Sequence, residues 1–342
     1  MTRFRIQAAG LVVGLAMVIA GSGLSAQPQV KAPLPQTLLS SAAALPQLRS
    51  LIVVRRGERL AEYYARGIRA TTPSNIKSAS KSLIATLVGI ALERRLIPDL
   101  HTPIVTWFPE LRRDRDRRKQ AITVEDLLTM RAGLESTSGR NYGRWVQSPN
   151  WVRFALARPM VADPGDAMQY STGSSHILSA LLTRVTGLST WQFAQQALAR
   201  PLGFTLARWP RDPQGIYFGG NDMLLTPTQM VAVGEMWLAR GRANGTQVVP
   251  AAWVDTSCVP RTRSVFDNDR EYGYGWWMQD FDGRQACFAW GYGGQYIFVF
   301  RDLDLVITAT SSTAVSEERR GHRRQLFDLI TREILSPIDG RR

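Results

Sequence analysis

The sequence predicts an α/β (α+β) fold: an antiparallel sheet flanked by helices, contributed by both ends of the chain, with an all-helical lobe inserted between them. Three observations carry this. β-Branched and aromatic runs bounded by turn residues cluster at 49–67 and again at 272–311. Between about 96 and 220, apolar residues recur instead at three- and four-residue spacing. Further helical patterns at 75–93, 226–241 and about 319–335 border the strand clusters and supply the flanking layers.

The elements follow in order. Residues 1–26 read as a signal peptide: Arg3 and Arg5 precede an apolar core, Ile6 to Ala20, and the small-residue run GSGLSA ends at Ala26, where cleavage is expected. That core is shorter than the roughly 20 residues of a membrane span, and no later stretch reaches that length. The processed chain is therefore expected to be soluble, without an integral membrane segment, and periplasmic or secreted. Residues 27–46, rich in proline and alanine, should run over the surface. LRSLIVV (49–55) and RLAEYYARG (59–67) predict two strands around a turn containing Gly57. NIKSASKSLIATLVGIALE (75–93) predicts a helix that is apolar almost all round, hence buried on most sides.

In the helical lobe, TVEDLLTM (123–130) starts at Thr123 and is expected to stop by Gly133. SPNWVRFALARP (148–159), SSHILSALLTRVTG (174–187) and WQFAQQALARPLG (191–203) continue the helical spacing. TPTQMVAVGEMWLARG (226–241) is a further helix. YGYGWWMQDF (272–281), RQACFAW (284–290), QYIFVFR (295–301) and LVITATS (305–311) predict strands, and a last helix spans about 319–335. These boundaries assign 27–95 and 221–342 to a sheet lobe and 96–220 to the helical lobe.

The formal net charge of +14 becomes about +12 once Arg3 and Arg5 leave with the signal. The densest basic runs, ELRRDRDRRK (110–119) and EERRGHRR (317–324), mix in acids and lack aromatics, which fits a solvated face and not a nucleic-acid surface. The three histidines, His101, His176 and His322, lie far apart, and no HExxH or CxxC spacing suggests a metal. No motif asks for a cofactor, and nothing sets the oligomeric state. Two cysteines, Cys258 and Cys287, suit an oxidising compartment, but the sequence leaves open whether they pair.

The chemistry concentrates in three stretches. The chain has four lysines, and two of them, Lys77 and Lys81, stand among Ser78, Ser80 and Ser82 at the mouth of the central helix. Ser78 and Lys81, three apart, share a helical face, so an amine with a lowered pKa there can take the serine proton. Ser78 is expected to open the helix and feel its positive end. Ser80 and Ser82 have no lysine three residues on, and Lys77 either depresses the pKa of Lys81 or faces solvent. The second stretch is Tyr170-Ser171-Thr172-Gly173, where a phenol suits a proton shuttle and, equally, an ordinary core. The third is Trp290-Gly291-Tyr292-Gly293-Gly294-Gln295, leading into a strand: glycines at a strand edge admit a ligand to the backbone, or simply turn a hairpin. His176, among Leu178 and Leu181, reads as a satisfied core histidine, and no Gly-x-Ser-x-Gly elbow supports a Ser-His-Asp enzyme. Of the aromatics Tyr142, Trp151, Tyr272, Tyr274, Trp276 and Trp277, Tyr142 and Trp276 are the candidates for lining a pocket.

Ser-x-x-Lys, then a tyrosine motif, then a glycine-rich strand edge, in this order, resembles the class C β-lactamase superfamily of penicillin-recognising serine hydrolases. Supporting pieces are ITVEDLLTMRAGL (122–134), RPMVADPGDAMQYSTG (158–173), GGNDMLLTPTQM (219–230) and YGYGWW (272–277). The likeness is nearest to the branch of esterases and 6-aminohexanoate-dimer hydrolases. It implies a β-lactamase-like fold, Ser78 as acylated nucleophile, Lys81 as proton acceptor and Tyr170 as second base and acid. It further implies that Tyr292, Gly293, Gly294 and Gln295 form the strand edge, with the Gln295 N–H joining that of Ser78 as oxyanion donor. Two departures follow. Thr172 stands where the family has the asparagine of Tyr-x-Asn, and Tyr292-Gly293-Gly294 stands for Lys-Thr-Gly, which removes the lysine that helps bind a penicillin carboxylate. The expected activity is hydrolysis of a small-molecule ester or linear amide. The rivals are a β-lactamase or D-amino-acid peptidase, and a catalytically silent binding protein on the same fold.

Overall fold

A computed structural model of the chain describes residues 1–2, 31–267, 269–315, 317 and 320–340. All but the first two residues of the expected signal peptide lie outside the described residues. The fold class is as expected, with an eight-stranded antiparallel sheet at its centre. Its strands are β1 (Leu48–Arg55), β2 (Glu58–Tyr64), β3 (Thr262–Arg263), β4 (Arg270–Tyr272), β5 (Trp277–Asp280), β6 (Gln285–Gly291), β7 (Gln295–Phe300) and β8 (Leu305–Ser311), in the order β2-β1-β8-β7-β6-β5-β4-β3. The N-terminal hairpin docks through β1 onto β8, with Val53 opposite Ile307, so the two ends of the chain close one sheet.

Period-two alternation sends side chains to both faces. Ile52, Val54 and Val306 meet Val231 of the helix Pro227–Leu238, whose Gly234 leaves no room for a Cβ, since one would sit 2.5 Å from Val306. Leu51, Val53, Phe298 and Ile307 face the C-terminal helix His322–Leu329, which continues through Leu335 with wider turns. The central helix Ser80–Glu93 is buried from Ser80 to Ala91, as its all-round apolar pattern predicts. It lies between the sheet and the helices Val124–Leu128, Trp151–Leu156 and Thr172–Thr186, with which it shares one continuous hydrophobic cluster.

Three expectations need correcting. The helix from Thr123 opens with a full capping box to Asp126 but ends at Leu128, where Thr129 bonds back to the Glu125 carbonyl and Met130 turns left-handed (φ 61°), well before Gly133. YGYGWW is not strand but hairpin: Tyr272 pairs with Trp277 across a turn at Gly275 (φ 75°), and that turn docks on the central helix, where Ser82 Oγ donates to the Gly275 carbonyl at 2.6 Å. Trp276 does not line a pocket. It is fully buried and stacked on Trp237 at 4.3 Å.

Cys258 and Cys287 are disulfide-bonded, joining the end of helix Ala251–Ser257 to β6 across 29 residues of sequence. For a loop of that length the chain-entropy estimate is about 3–4 kcal/mol. Replacing both cysteines by serine should lower the unfolding free energy by roughly that amount, read as a lower denaturant midpoint.

Candidate active site

The chain enters the central helix through a strained corner. Lys77 has φ 50°, a left-handed conformation that a lysine adopts only under constraint, and Lys77–Ala79 form one 3₁₀ turn before the helix begins at Ser80. Ser78 therefore precedes the helix and does not open it. The constraint is visible: the Lys77 N–H donates to Asn75 Oδ1 (2.9 Å), and Lys77 Nζ pairs with Asp222 Oδ1 (3.0 Å), which also accepts from Asn75 Nδ2 (2.8 Å). Lys77 is thus neither solvent-facing nor an unpaired cation beside Lys81. Ser80 and Ser82 hold the framework: Ser80 Oγ donates to the Lys77 carbonyl (2.6 Å) and accepts from the Met223 N–H (3.1 Å), while Ser82 binds the Gly275 turn. Ser78 is the partly exposed serine of the three.

Lys81 is buried, and its Nζ meets three oxygens: the Gly220 carbonyl at 2.6 Å, Ser78 Oγ at 3.2 Å and Thr172 Oγ1 at 3.3 Å. Burial lowers its pKa to about 7, against a smaller upward pull from Asp222. The arrangement suits a neutral amine. Two N–H bonds point to Gly220 and Thr172, and the lone pair is left for the hydroxyl proton of Ser78. Tyr170 comes from a separate part of the chain, yet its phenol is near enough to Ser78 to be influenced by that hydroxyl, and its ring lies 5.0 Å from Lys81 Nζ. Desolvation pushes the phenol up to about 12, with the nearby Ser78 hydroxyl pulling the other way, so it is protonated at neutral pH. Thr172, on the first turn of the following helix, reaches Lys81 despite its short side chain and is braced by Ser138 Oγ at 3.0 Å.

The glycine-rich segment is placed differently from the sequence expectation. Tyr292, Gly293 and Gly294 form the tip of the β6–β7 hairpin, with the Gly294 N–H donating to the Gly291 carbonyl at 3.2 Å. Gln295 is not at an open edge. It pairs with Gly291 in the ladder, and its side-chain amide donates to the Ser311 carbonyl (2.8 Å) and accepts from the Ser311 N–H (3.3 Å). The residue that meets the nucleophile turn is Gly291: a Cβ there would stand 2.0 Å from the Ile76 carbonyl. The end of β6, at Gly291–Tyr292, thus adjoins Ser78, where Gln295 was expected.

The sequence marks Gly219–Asp222 only as part of a family-like stretch and assigns it no role, yet every residue of it touches the site or its support. The Gly219 N–H reaches His176 Nδ1 (3.4 Å), the Gly220 carbonyl takes Lys81, Asn221 Nδ2 donates to Tyr142 Oη (3.0 Å), and Asp222 takes Lys77. His176 is a core histidine as expected, fully buried and bonded through Nε2 to Asp212 Oδ2 at 3.0 Å. Its other nitrogen helps fix the loop that holds Lys81. The available signal was the Gly-Gly pair: a Cβ on Gly219 would lie 2.2 Å from the Ser175 carbonyl, and one on Gly220 would lie 3.2 Å from Lys81 Nζ.

Comparison with known proteins agrees with this geometry. The family model described as Beta-lactamase matches residues 49–331. The chain is 25% identical over 302 residues to the 6-aminohexanoate-dimer hydrolase of Paenarthrobacter ureafaciens, covering 80% of this chain and 74% of that protein. Among solved structures it is similar to EstCE1, titled a hydrolase with promiscuous acyltransferase activity, with TM-score 0.70 and 17% identity over 86% of this chain and 97% of that one. It is also similar to a class C β-lactamase from Rhodobacter sphaeroides, with TM-score 0.64 and 16% identity over 86% and 99% of the two chains. The structural likenesses speak for the fold, and the family match spans most of the sequence: the chain belongs to the Beta-lactamase family and is a serine hydrolase of the amidase or esterase type.

Proposed function

We propose that the protein is an exported hydrolase that cleaves an ester or linear amide through an acyl-enzyme on Ser78. The observation that carries this is the position of Ser78 Oγ between a buried amine 3.2 Å away and a protonated phenol. A substrate carbonyl carbon approaches Ser78 Oγ, neutral Lys81 takes the hydroxyl proton, and the carbonyl oxygen becomes an oxyanion. The Ser78 N–H and the backbone at the end of β6, Gly291–Tyr292, are the donors assigned to it. Tyr170, a phenol at neutral pH, gives its proton to the leaving group, and the proton that Lys81 took from Ser78 passes to the phenolate, which restores both the phenol and the neutral amine. Water then attacks the ester carbonyl with Lys81 as base, and Ser78 leaves with its proton restored.

A single screen tests the substrate class: p-nitrophenyl esters of graded length, 6-aminohexanoate dimer, nitrocefin and a D-Ala-D-Ala peptide. Ester or dimer turnover exceeding that of nitrocefin and the peptide is expected, because none of the four lysines lies on β6 or β7 to hold a penicillin carboxylate. The opposite order would replace this proposal with a β-lactamase or peptidase. Export is checked by N-terminal sequencing of the protein from its native host, with Gln27 expected as the first residue.

Asp222 gives a further prediction. Its charge raises the pKa of Lys81, and it neutralises Lys77. Asp222→Asn removes an anion and unmasks a cation, and both changes favour neutral Lys81. The acidic limb of kcat/KM should therefore move to lower pH. A limb that stays put or moves up would show that Asp222 does not act on Lys81 by charge.

A further inference from the structure

Phe266 stands at the tip of the β3–β4 hairpin with 54% of its surface exposed, beside Val265 at 57%. Two large apolar residues stand in succession at this tip, where polar turn formers would suffice. The Phe266 ring is not loose in solvent. It meets the Tyr170 ring edge-on at 5.2 Å and the Trp290 ring at 5.9 Å. Trp290 leads into Gly291 at the nucleophile turn, and Tyr292 beyond it is 47% exposed. An aromatic wall therefore runs from the phenol to the strand end.

The wall is held from behind. Asp267, next to Phe266, accepts from Arg270 Nε at 3.0 Å and from Arg323 Nη1 at 3.0 Å, which ties the hairpin tip to β4 and to the C-terminal helix. Arg270 is itself buried, with its guanidinium 4.1 Å over the Trp290 ring and 5.1 Å over the Trp277 ring. A half-exposed phenylalanine fixed in this way is prepared for a partner, because its ordering does not have to occur on binding.

We propose that Phe266, with Trp290, forms the leaving-group subsite and selects esters or amides whose departing alcohol or amine carries an aryl or similarly bulky apolar group. The proposal rests on the assignment of Ser78 and Tyr170 above. If Tyr170 protonates the leaving atom, that atom lies within hydrogen-bond reach of the phenol, and whatever it carries extends along the surface lining the Tyr170 ring. Of the rings that meet Tyr170, Tyr272 and Trp277 are buried, and Phe266 is the one exposed to a substrate. Phe266 is a specificity residue and takes no part in proton transfer.

The test compares 2-phenylethyl acetate with ethyl acetate, two esters of one acid whose alcohols are of similar acidity, and methyl phenylacetate with methyl acetate, which vary the acyl side instead. The wild-type protein should favour the phenylethyl ester in kcat/KM, and Phe266→Ser should reduce that preference roughly tenfold, the order expected for one lost aromatic contact. Phe266→Leu, which keeps an apolar wall, should retain much of it. The acyl-side ratio should be the same in all three proteins. A Phe266→Ser protein with an unchanged alcohol ratio, or with only its acyl ratio altered, overturns the proposal. Fluorophosphonate labelling separates this from a failure of the underlying mechanism: a wild-type protein that is not labelled at Ser78 refutes the nucleophile assignment, and with it the basis for placing a leaving group here.

Discussion

Replacing Ser78 by alanine lowers turnover of every substrate by about 10⁴-fold or more and removes labelling by a fluorophosphonate probe, the scale seen when a covalent nucleophile is deleted from a working site. The fold should not suffer. Ser78 is partly exposed, and the hydroxyls that fasten the corner belong to Ser80 and Ser82. Melting temperatures of the variant and the wild type should therefore agree closely. Mass spectrometry after mixing with an activated ester gives the matching positive result, one acyl group on the wild type and none on Ser78→Ala. Labelling that persists in the variant, or that maps to Ser80 or Ser82, would move the nucleophile elsewhere and dismantle the mechanism.

Much of this site was legible in the sequence, for a definite reason. Ser78 and Lys81 are close in the chain, and three-residue spacing near a helix start converts sequence distance directly into spatial distance. The N-terminal hairpin was equally open to reading, because strand periodicity and the turn at Gly57 are both local. The parts that escaped are those whose function is carried by the backbone. Gly220 contributes a carbonyl that any residue possesses, and only the lack of room for a Cβ marks the position. The run from Gly291 to Gln295 contains three glycines, and nothing local says which of them faces the nucleophile turn; the hairpin register decides it, in favour of Gly291 over Gln295. YGYGWW misled in the opposite direction. Its aromatic density resembles strand, but two glycines fold it back, and the aromatics are needed where the turn packs on the central helix.

Lys81 should set the pH dependence, and the sign follows from its environment. Burial favours the neutral amine and brings the pKa down to about 7 from the ordinary 10.5. A base must be unprotonated to act, so kcat/KM rises with pH through about 7 and flattens above it, falling about tenfold per unit on the acid side. Tyr170, pushed up to about 12, stays protonated across this range and does not produce a second limb near neutrality. Stability has the same sign. Below about 7 the folded protein holds a buried cation, and this penalty is fully present; it is relieved as pH rises from there toward 10.5, because the folded state has lost a proton that the unfolded state still holds. Lys81→Met, which keeps the length of the side chain and removes the charge, should therefore lose about 10²- to 10⁴-fold in activity while melting at the same temperature or higher at pH 6. Lys81→Arg should be equally inactive, since a guanidinium does not give up its proton in this range. Separate measurement of activity and melting temperature distinguishes a base from a strut: a Lys81→Met protein that is inactive because it has unfolded at pH 6 would refute the electrostatic account, and one that keeps its activity would refute the chemical one.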